Sequence, residues 1–379
     1  MKTALYQCKS MNDDIVTVKT GAEENNACLV LCFAGHRRLD EEDWYTRLKD
    51  KFPIADIVIC STAGEICNTI VTEEGVSFIS IEMKKTRIAT GKVNISNYKG
   101  SYEAGKALIE SLDKKDLRYV LVISDGELVN GSKLVQGMND GAGSILITGG
   151  LAGDGNQFQS TLVGINGKPE KGVIACIGFY GDHLLVGHGS QGGWETFGLE
   201  KKVTKSSVNV LYEINDKNAL DIYKHYLGPD ATALPWAALL YPLSVKLPGT
   251  GEVVVRTILS IDEKAGSMRF AGDIPEGALV RFMHANFDRL TNAAAGAAVQ
   301  SVVKNGIPPD FALLISCVGR KLILQSRVED EIEVVDEVFN HQTPIVGFYS
   351  YGELSPLFPG GACQLQNQTM TITTFYEME

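Results

Sequence analysis

Apolar residues along this chain fall into short runs separated by polar and glycine-rich stretches. One of them, Ile57-Val58-Ile59-Cys60, stops at Ser61-Thr62-Ala63-Gly64-Glu65, a change that predicts a buried strand ending in a tight loop. Gly64 lets the backbone take φ > 0 there, and the small residues let a ligand or another backbone come close. The construction returns at Ile345-Val346-Gly347-Phe348-Tyr349-Ser350-Tyr351-Gly352-Glu353-Leu354, which suggests related halves around a shared site. The plan of a strand ending at Gly, a helix or turn, and a second strand ending in a small-residue loop with a carboxylate occurs three times: Leu29 to Glu65, Val120 to Asp154, and Phe311 to Glu353. The Gly-to-Gly offsets are alike, 29 (Gly35 to Gly64), 27 (Gly126 to Gly153) and 33 (Gly319 to Gly352), as an internal repeat requires.

The remaining pattern adds strands and helices. A helix is expected from Asp40 to Phe52, with Asp40 as its cap and Pro53 closing it. Ser77–Met83 and Arg87–Ile95 look like a β-hairpin, and a helix follows with Ala104, Ala107, Leu108 and Leu112 on one face. A short helix is expected around Ser132–Met138, and Thr161–Asn166, Gly172–Tyr180 and Leu184–Ser190 read as an antiparallel meander. Lys202–Lys205 and Val208–Ile214 should pair, and Asn218 should start a helix stopped by Gly228-Pro229. In the second half, strands at Val253–Ser260, Ser267–Ala271 and Leu279–His284 precede a long helix from Asn286 to Lys304, ended by Asn305-Gly306, and two strands lie within Cys363–Tyr376. The fold class is therefore α/β (mixed α+β): two related halves with mixed sheets flanked by helices, divided as residues 1–220 and 221–379.

Composition narrows the function classes. The formal charge is −11 and no Lys/Arg block occurs, so a nucleic-acid partner is not expected. No apolar run approaches the ~18–20 residues of a membrane span, and the N-terminus lacks signal-peptide features. The eight cysteines form no Cys-x-x-Cys pair, and several lie in apolar runs, as buried free thiols in a reducing cytoplasm would.

The glycines around Gly149-Gly150 and Gly153-Asp154-Gly155 lack the Lys-Ser/Thr of a phosphate-binding loop. Cys60, Cys317 or Ser124-Asp125 could be drawn into a nucleophile scheme, but no Gly-x-Ser-x-Gly elbow is present, and a thiol or carboxylate enzyme stands only as an alternative. No metal-binding motif occurs. Glu65, Glu353 and Asp154 each follow a strand-end glycine, and each can either receive the ammonium of a small ligand or cap its own loop. Ser61, Thr62, Gly64, Gly153, Ser350, Tyr351 and Gly352 complete this candidate ligand-binding set, and Arg320 reads as half of a buried ion pair.

Ser61-Thr62-Ala63-Gly64-Glu65-Ile66, Gly149-Gly150-Leu151-Ala152-Gly153-Asp154, Val203-Thr204-Lys205, Ile315-Ser316-Cys317-Val318-Gly319-Arg320 and Gly347 to Leu354 resemble the FIST family over about residues 27–360. The resemblance implies a sensory ligand-binding module made of an N-terminal and a C-terminal FIST domain, and no enzyme. No output domain follows in this sequence, so a stand-alone cytoplasmic sensor is expected to act on a separate signalling protein, with room for a homodimer.

The stretch His188 to Gly198 is similar to that of the nitric-oxide-sensing FIST haemoproteins (NosP), which implies haem b as cofactor. It further implies a histidine kinase, a diguanylate cyclase or a phosphodiesterase as partner. A haem sensor needs an axial ligand in an apolar pocket. His188, between Gly187 and Gly189 and near Trp194, is the first choice and His36 the second, the alternative for His188 being an exposed turn histidine. Without haem, the resemblance implies a sensor of amino acids or another small metabolite.

Overall fold

The computed structural model describes residues 1–10, 13–234, 236–304 and 306–378. The three repeats form three six-stranded mixed sheets in which five strands follow one order; the sixth, Val16–Lys19, flanks the opening strand in the first sheet, while Cys363–Gln366 and Ile70–Thr72 lie at the opposite edge of the other two. At the centre of each is a parallel pair: Leu29–Gly35 with Asp56–Thr62, Leu117–Ser124 with Leu146–Leu151, and Phe311–Cys317 with Ile345–Ser350. An antiparallel strand lies beside each first partner (Val76–Glu82, Val173–Tyr180 and Met370–Glu377). Beyond it lies the strand that opens the unit: Lys2–Cys8, Arg87–Asn94 or Leu184–Gln191. The six central strands are buried almost throughout, which explains why they read as continuous apolar runs without alternation.

The far edge of each sheet is completed by another unit. Glu65–Cys67 of the first unit pairs with Ile345–Ser350 of the third, Val163–Ile165 of the second pairs with Asp56–Thr62 of the first, and Gly352–Pro356 of the third pairs with Leu146–Leu151 of the second. Strand exchange therefore runs cyclically around three units. The strand-end turns also bond one another in a cycle: Gly153 N donates to Ser61 O, Ala63 N to Tyr349 O, and Tyr351 N to Leu151 O. The inner faces of the three sheets share one apolar cluster, with Phe33 stacked on Phe348 at 4.9 Å and Tyr119 edge-on to Phe375 at 5.5 Å. Tyr119, Thr148 and Thr373 carry a hydrogen-bonded hydroxyl chain through it at 2.6 and 2.9 Å.

This exchange corrects two readings. Val76–Glu82 and Arg87–Asn94 are consecutive but belong to different sheets, so they form no hairpin. The expected meander also separates, because Val163–Ile165, Val173–Tyr180 and Leu184–Gln191 each join a different sheet. The helix expected from Asp40 is two, His36–Glu41 and Trp44–Lys51, and it is Asp43 that caps the second by accepting from Thr46 N. The short helix after Asn130 is longer than expected, Gly131–Ala142. Asn218 and Gly228 do bracket the helix Ala219–Leu227, and Asn286 caps Phe287–Ser301. That helix gives way at Val302; Asn305, half of the expected stop signal, lies outside the described residues.

A fourth sheet, built from strands between Glu195 and His284, is inserted into the third unit and has its own core. Its expected pairing of the segment near Val203 with Val210–Ile214 is present, on a first strand that extends over Glu195–Ser207. Arg256, fully buried, ties this sheet to the ring by donating to Leu365 O at 2.9 Å. Asn130 Nδ2 adds a bond to Asp273 Oδ1 at 3.0 Å.

Candidate functional site

The strand-end turns meet where the units exchange strands, and they enclose a cleft of about 130 Å³. Thr62, Gly64 and Glu65 come from the first unit, Asp154 and Gly155 from the second, and Lys321 from the helix Val318–Leu324 of the third. Gly64 has φ +142°, with Lys321 and Tyr349 at 3.3 Å from the place a Cβ would occupy, so both the conformation and the space select glycine there. Lys321 Nζ reaches across the cleft to Ala63 O at 2.8 Å and to Glu73 at 2.6 Å.

Glu65 is fully buried beneath this cleft. Its Oε1 accepts from Thr62 Oγ1, and its Oε2 accepts from Gly75 N at 2.8 Å and Thr72 Oγ1 at 3.0 Å. Burial pushes its pKa up to about 7 despite these donors. Asp154 is held by the N–H groups of Phe158, Gln159 and Ser160 and by the Tyr351 hydroxyl. Glu353 repeats the Glu65 arrangement in the third unit, accepting from Ser350 Oγ at 2.7 Å and from Thr369 Oγ1 at 2.8 Å and N at 3.2 Å, and burial pushes it up to about 8. All three carboxylates thus hold their own loops, and only Glu65 and Asp154 also face the cleft.

The other candidate residues separate. Ser61 Oγ accepts from Leu162 N and is buried. Gly153 packs against the backbone of Ala63, its Cβ position 2.8 Å from Ala63 N. Ser350 and Gly352 are interior, while Tyr351 faces a second cleft. Trp194, half-buried, donates from Nε1 to Gln368 O at 3.0 Å. Arg320 is fully buried in an ion pair with Glu331, as its sequence context suggested, and also donates to Gly192 O and Leu290 O. Lys321, Glu73, Glu74, Asn156 and Gln157 were missed as cleft residues. Lys321 could have been found, since it follows Arg320 in the third copy of the strand-end element.

The residues around His188 do not fit a haem. Its flanking glycines make room for the helix Phe287–Ser301: a Cβ on Gly187 would lie 1.8 Å from Ser301 O, and one on Gly189 2.0 Å from Ala297 O. His188 is a strand residue, neither exposed nor in a turn, and its Nε2 is engaged at 3.1 Å with Pro356 O. Burial lowers its pKa. His36 Nε2 lies 3.1 Å from Ser160 Oγ and its Nδ1 3.3 Å from Asp40. Neither histidine lines the two clefts described here. Among the described residues no His/Cys/Asp/Glu group has the form of a metal site. All eight cysteines are free and seven are fully buried; burial pushes the Cys60 and Cys317 thiols up, away from the thiolate a nucleophile needs. No helix among the described residues is long and apolar enough to cross a membrane.

The three units thus form a mixed α/β ring whose strand-end loops close over one small polar cleft. The FIST N domain matches residues 28–217 and the FIST C domain residues 219–356, and the chain belongs to the FIST family of sensory ligand-binding proteins. The two matches meet inside the inserted sheet, so they divide the chain differently from the three structural units. No curated protein matches the chain. Among solved structures, a cyanuric acid hydrolase from A. caulinodans aligns over 100% of both chains at 6% identity with a TM-score of 0.38, a likeness too weak to inform fold or activity.

Proposed function

We propose that this protein is a non-catalytic sensor of a small zwitterionic metabolite of the amino-acid type, received in the cleft between the Thr62–Glu65 turn, Asp154 and Lys321. The observation that supports it is the convergence of all three units on one cleft that sets a single ammonium, Lys321, against the carboxylates of Glu65, Glu73, Glu74 and Asp154. A ligand carboxylate would displace Glu73, which is largely exposed, from Lys321, and a ligand ammonium would sit among the acidic groups. Because three units meet there, occupancy bears on how they pack, and a separate cytoplasmic signalling protein would read that change. A histidine kinase or a cyclic-di-GMP enzyme is the partner class that the family resemblance suggests.

Haem-dependent nitric oxide sensing would require the helix Phe287–Ser301 to leave the glycines beside His188, and nothing in the packing favours that. The test is thermal unfolding of the full chain with a panel of amino acids and related metabolites. A true ligand at ~100 times its Kd stabilises by about 2.7 kcal/mol, and Lys321→Ala should abolish that shift. A panel without a shift, together with a Soret band of one haem per chain after reconstitution, would replace this reading with the haem one.

A further inference from the structure

The geometry points to a second binding site, a cleft between the ring and the inserted sheet that takes a flat aromatic molecule bearing an N–H donor. This cleft has a volume of about 300 Å³, more than twice that of the turn cleft. One wall is the loop Gly126–Gly131 of the second unit, and the other is Asn209, Leu259 and Phe270–Gly272 of the insert. Three large apolar side chains stand exposed at its rim: Leu128 at 52%, Phe158 at 42% and Leu259 at 43%. They come from segments far apart in sequence, so a single local loop does not account for them. Apolar surface gathered around a concave site marks a place where something binds.

The shape selects a small molecule over a protein partner. The volume lies at the lower end of the range for small-molecule sites, roughly 300–1,000 Å³. A stable protein interface needs about 800 Å² from each side, far more than this recess presents. At this rim Phe158 lies stacked on Tyr351, ring centroids 4.4 Å apart and planes 17° from parallel, so one aromatic face already covers another. The Tyr351 hydroxyl is committed to Asp154 and does not turn into the cleft as a donor. Side-chain acceptors are among the polar groups left to a ligand. Asn209 Nδ2 is spent on Phe270 O at 2.8 Å, while its Oδ1 accepts no hydrogen bond among the described residues, and Glu127 offers an exposed carboxylate. Apolar side chains, an aromatic stack and the Asn209 and Glu127 acceptors together describe a neutral or weakly cationic planar ring with an N–H.

Indole has this chemistry and serves as the probe. Titration calorimetry of the full chain should show one indole bound per chain. Leu259→Glu, which sets a charge at an exposed rim position, and Phe158→Ala, which removes the stacked face, should each weaken binding tenfold or more. Leu199→Glu alters an apolar residue that is 78% exposed elsewhere on the insert and should leave binding unchanged. Lys321→Ala should also retain it, which separates this site from the turn cleft. The proposal is overturned if indole shows no saturable binding up to about 1 mM, the weak end of specific affinity, or if Leu259→Glu binds it within about twofold of the unaltered chain.

Discussion

In the first unit Thr62 donates to Glu65, and in the third Ser350 donates to Glu353 across the same three-residue spacing. Each carboxylate takes further bonds from a later connection in the chain, through Thr72 and Gly75 in one case and Thr369 in the other. Both are fully buried and both pKa values are pushed up. Yet Glu65 backs onto a cleft floored by backbone and bridged by Lys321, while Glu353 is sealed inside the ring beside Arg320 and the segment Gln366–Thr369. The same local chemistry is therefore a wall of a site in one place and part of the core in another. What distinguishes them is the neighbour brought over the turn, a property of the assembled ring.

The largest expected effect tests the sealed side. Arg320→Ala leaves Glu331 buried without its ion-pair partner and should cost about 3–5 kcal/mol, measured by denaturant unfolding; a loss below about 1 kcal/mol would mean that water reaches this region and that the two turns are not differently enclosed. Next, Glu353→Ala and Glu65→Ala each orphan three donors, a loss of about 1–3 kcal/mol. Glu353→Ala should be the more destabilising, because water entering from the cleft can reach Thr62 and Thr72. Equal losses in urea titrations would remove that distinction.

Titration sharpens the comparison further. A carboxyl whose pKa is raised on folding binds more protons in the native than in the unfolded state, so its contribution is full below the unfolded value near 4.5 and is lost as pH rises through the native one. Stability should fall from pH 4.5 to about 7 through Glu65, and on to about 8 through Glu353. Glu65→Gln should lessen the slope between pH 4.5 and about 7, and Glu353→Gln should lessen it up to about 8 while leaving the Glu65 part, read as melting temperature against pH. Smallest in stability is Lys321→Ala, expected to cost no more than about 1 kcal/mol because its partner Glu73 is solvated. Its readout is the loss of metabolite-induced stabilisation, and a loss of several kcal/mol would make Lys321 a structural residue.

The strand-ending glycines, the threefold recurrence of the strand–helix–strand plan and the caps Asn218 and Asn286 were legible because each is a local backbone requirement. Partner choice was not legible. Buried runs such as Val163–Ile165 report that a strand is covered, and they carry no mark of which sheet covers it, so neighbours in sequence were read as neighbours in space. The candidate site was half legible: Glu65, Thr62, Gly64 and Asp154 stand at the cleft, whereas Lys321 arrives from more than 250 residues away. The glycines around His188 misled for a related reason. A glycine announces that something approaches its backbone, and here that is a helix.

The cyclic exchange of strands also sets a timetable for synthesis. Glu65–Cys67 is made about 280 residues before its partner Ile345–Ser350, a wait on the order of tens of seconds at typical translation rates. During that interval residues 65–72 have their own chain on one side only, and the first parallel pair must persist with its outer strand still missing until Val163–Ile165 emerges. A nascent chain of this design finishes no sheet edge from its own first unit: the edge at Asp56–Thr62 closes only with the second unit, and Glu65–Cys67 finds its outer partner only when the third closes the circle.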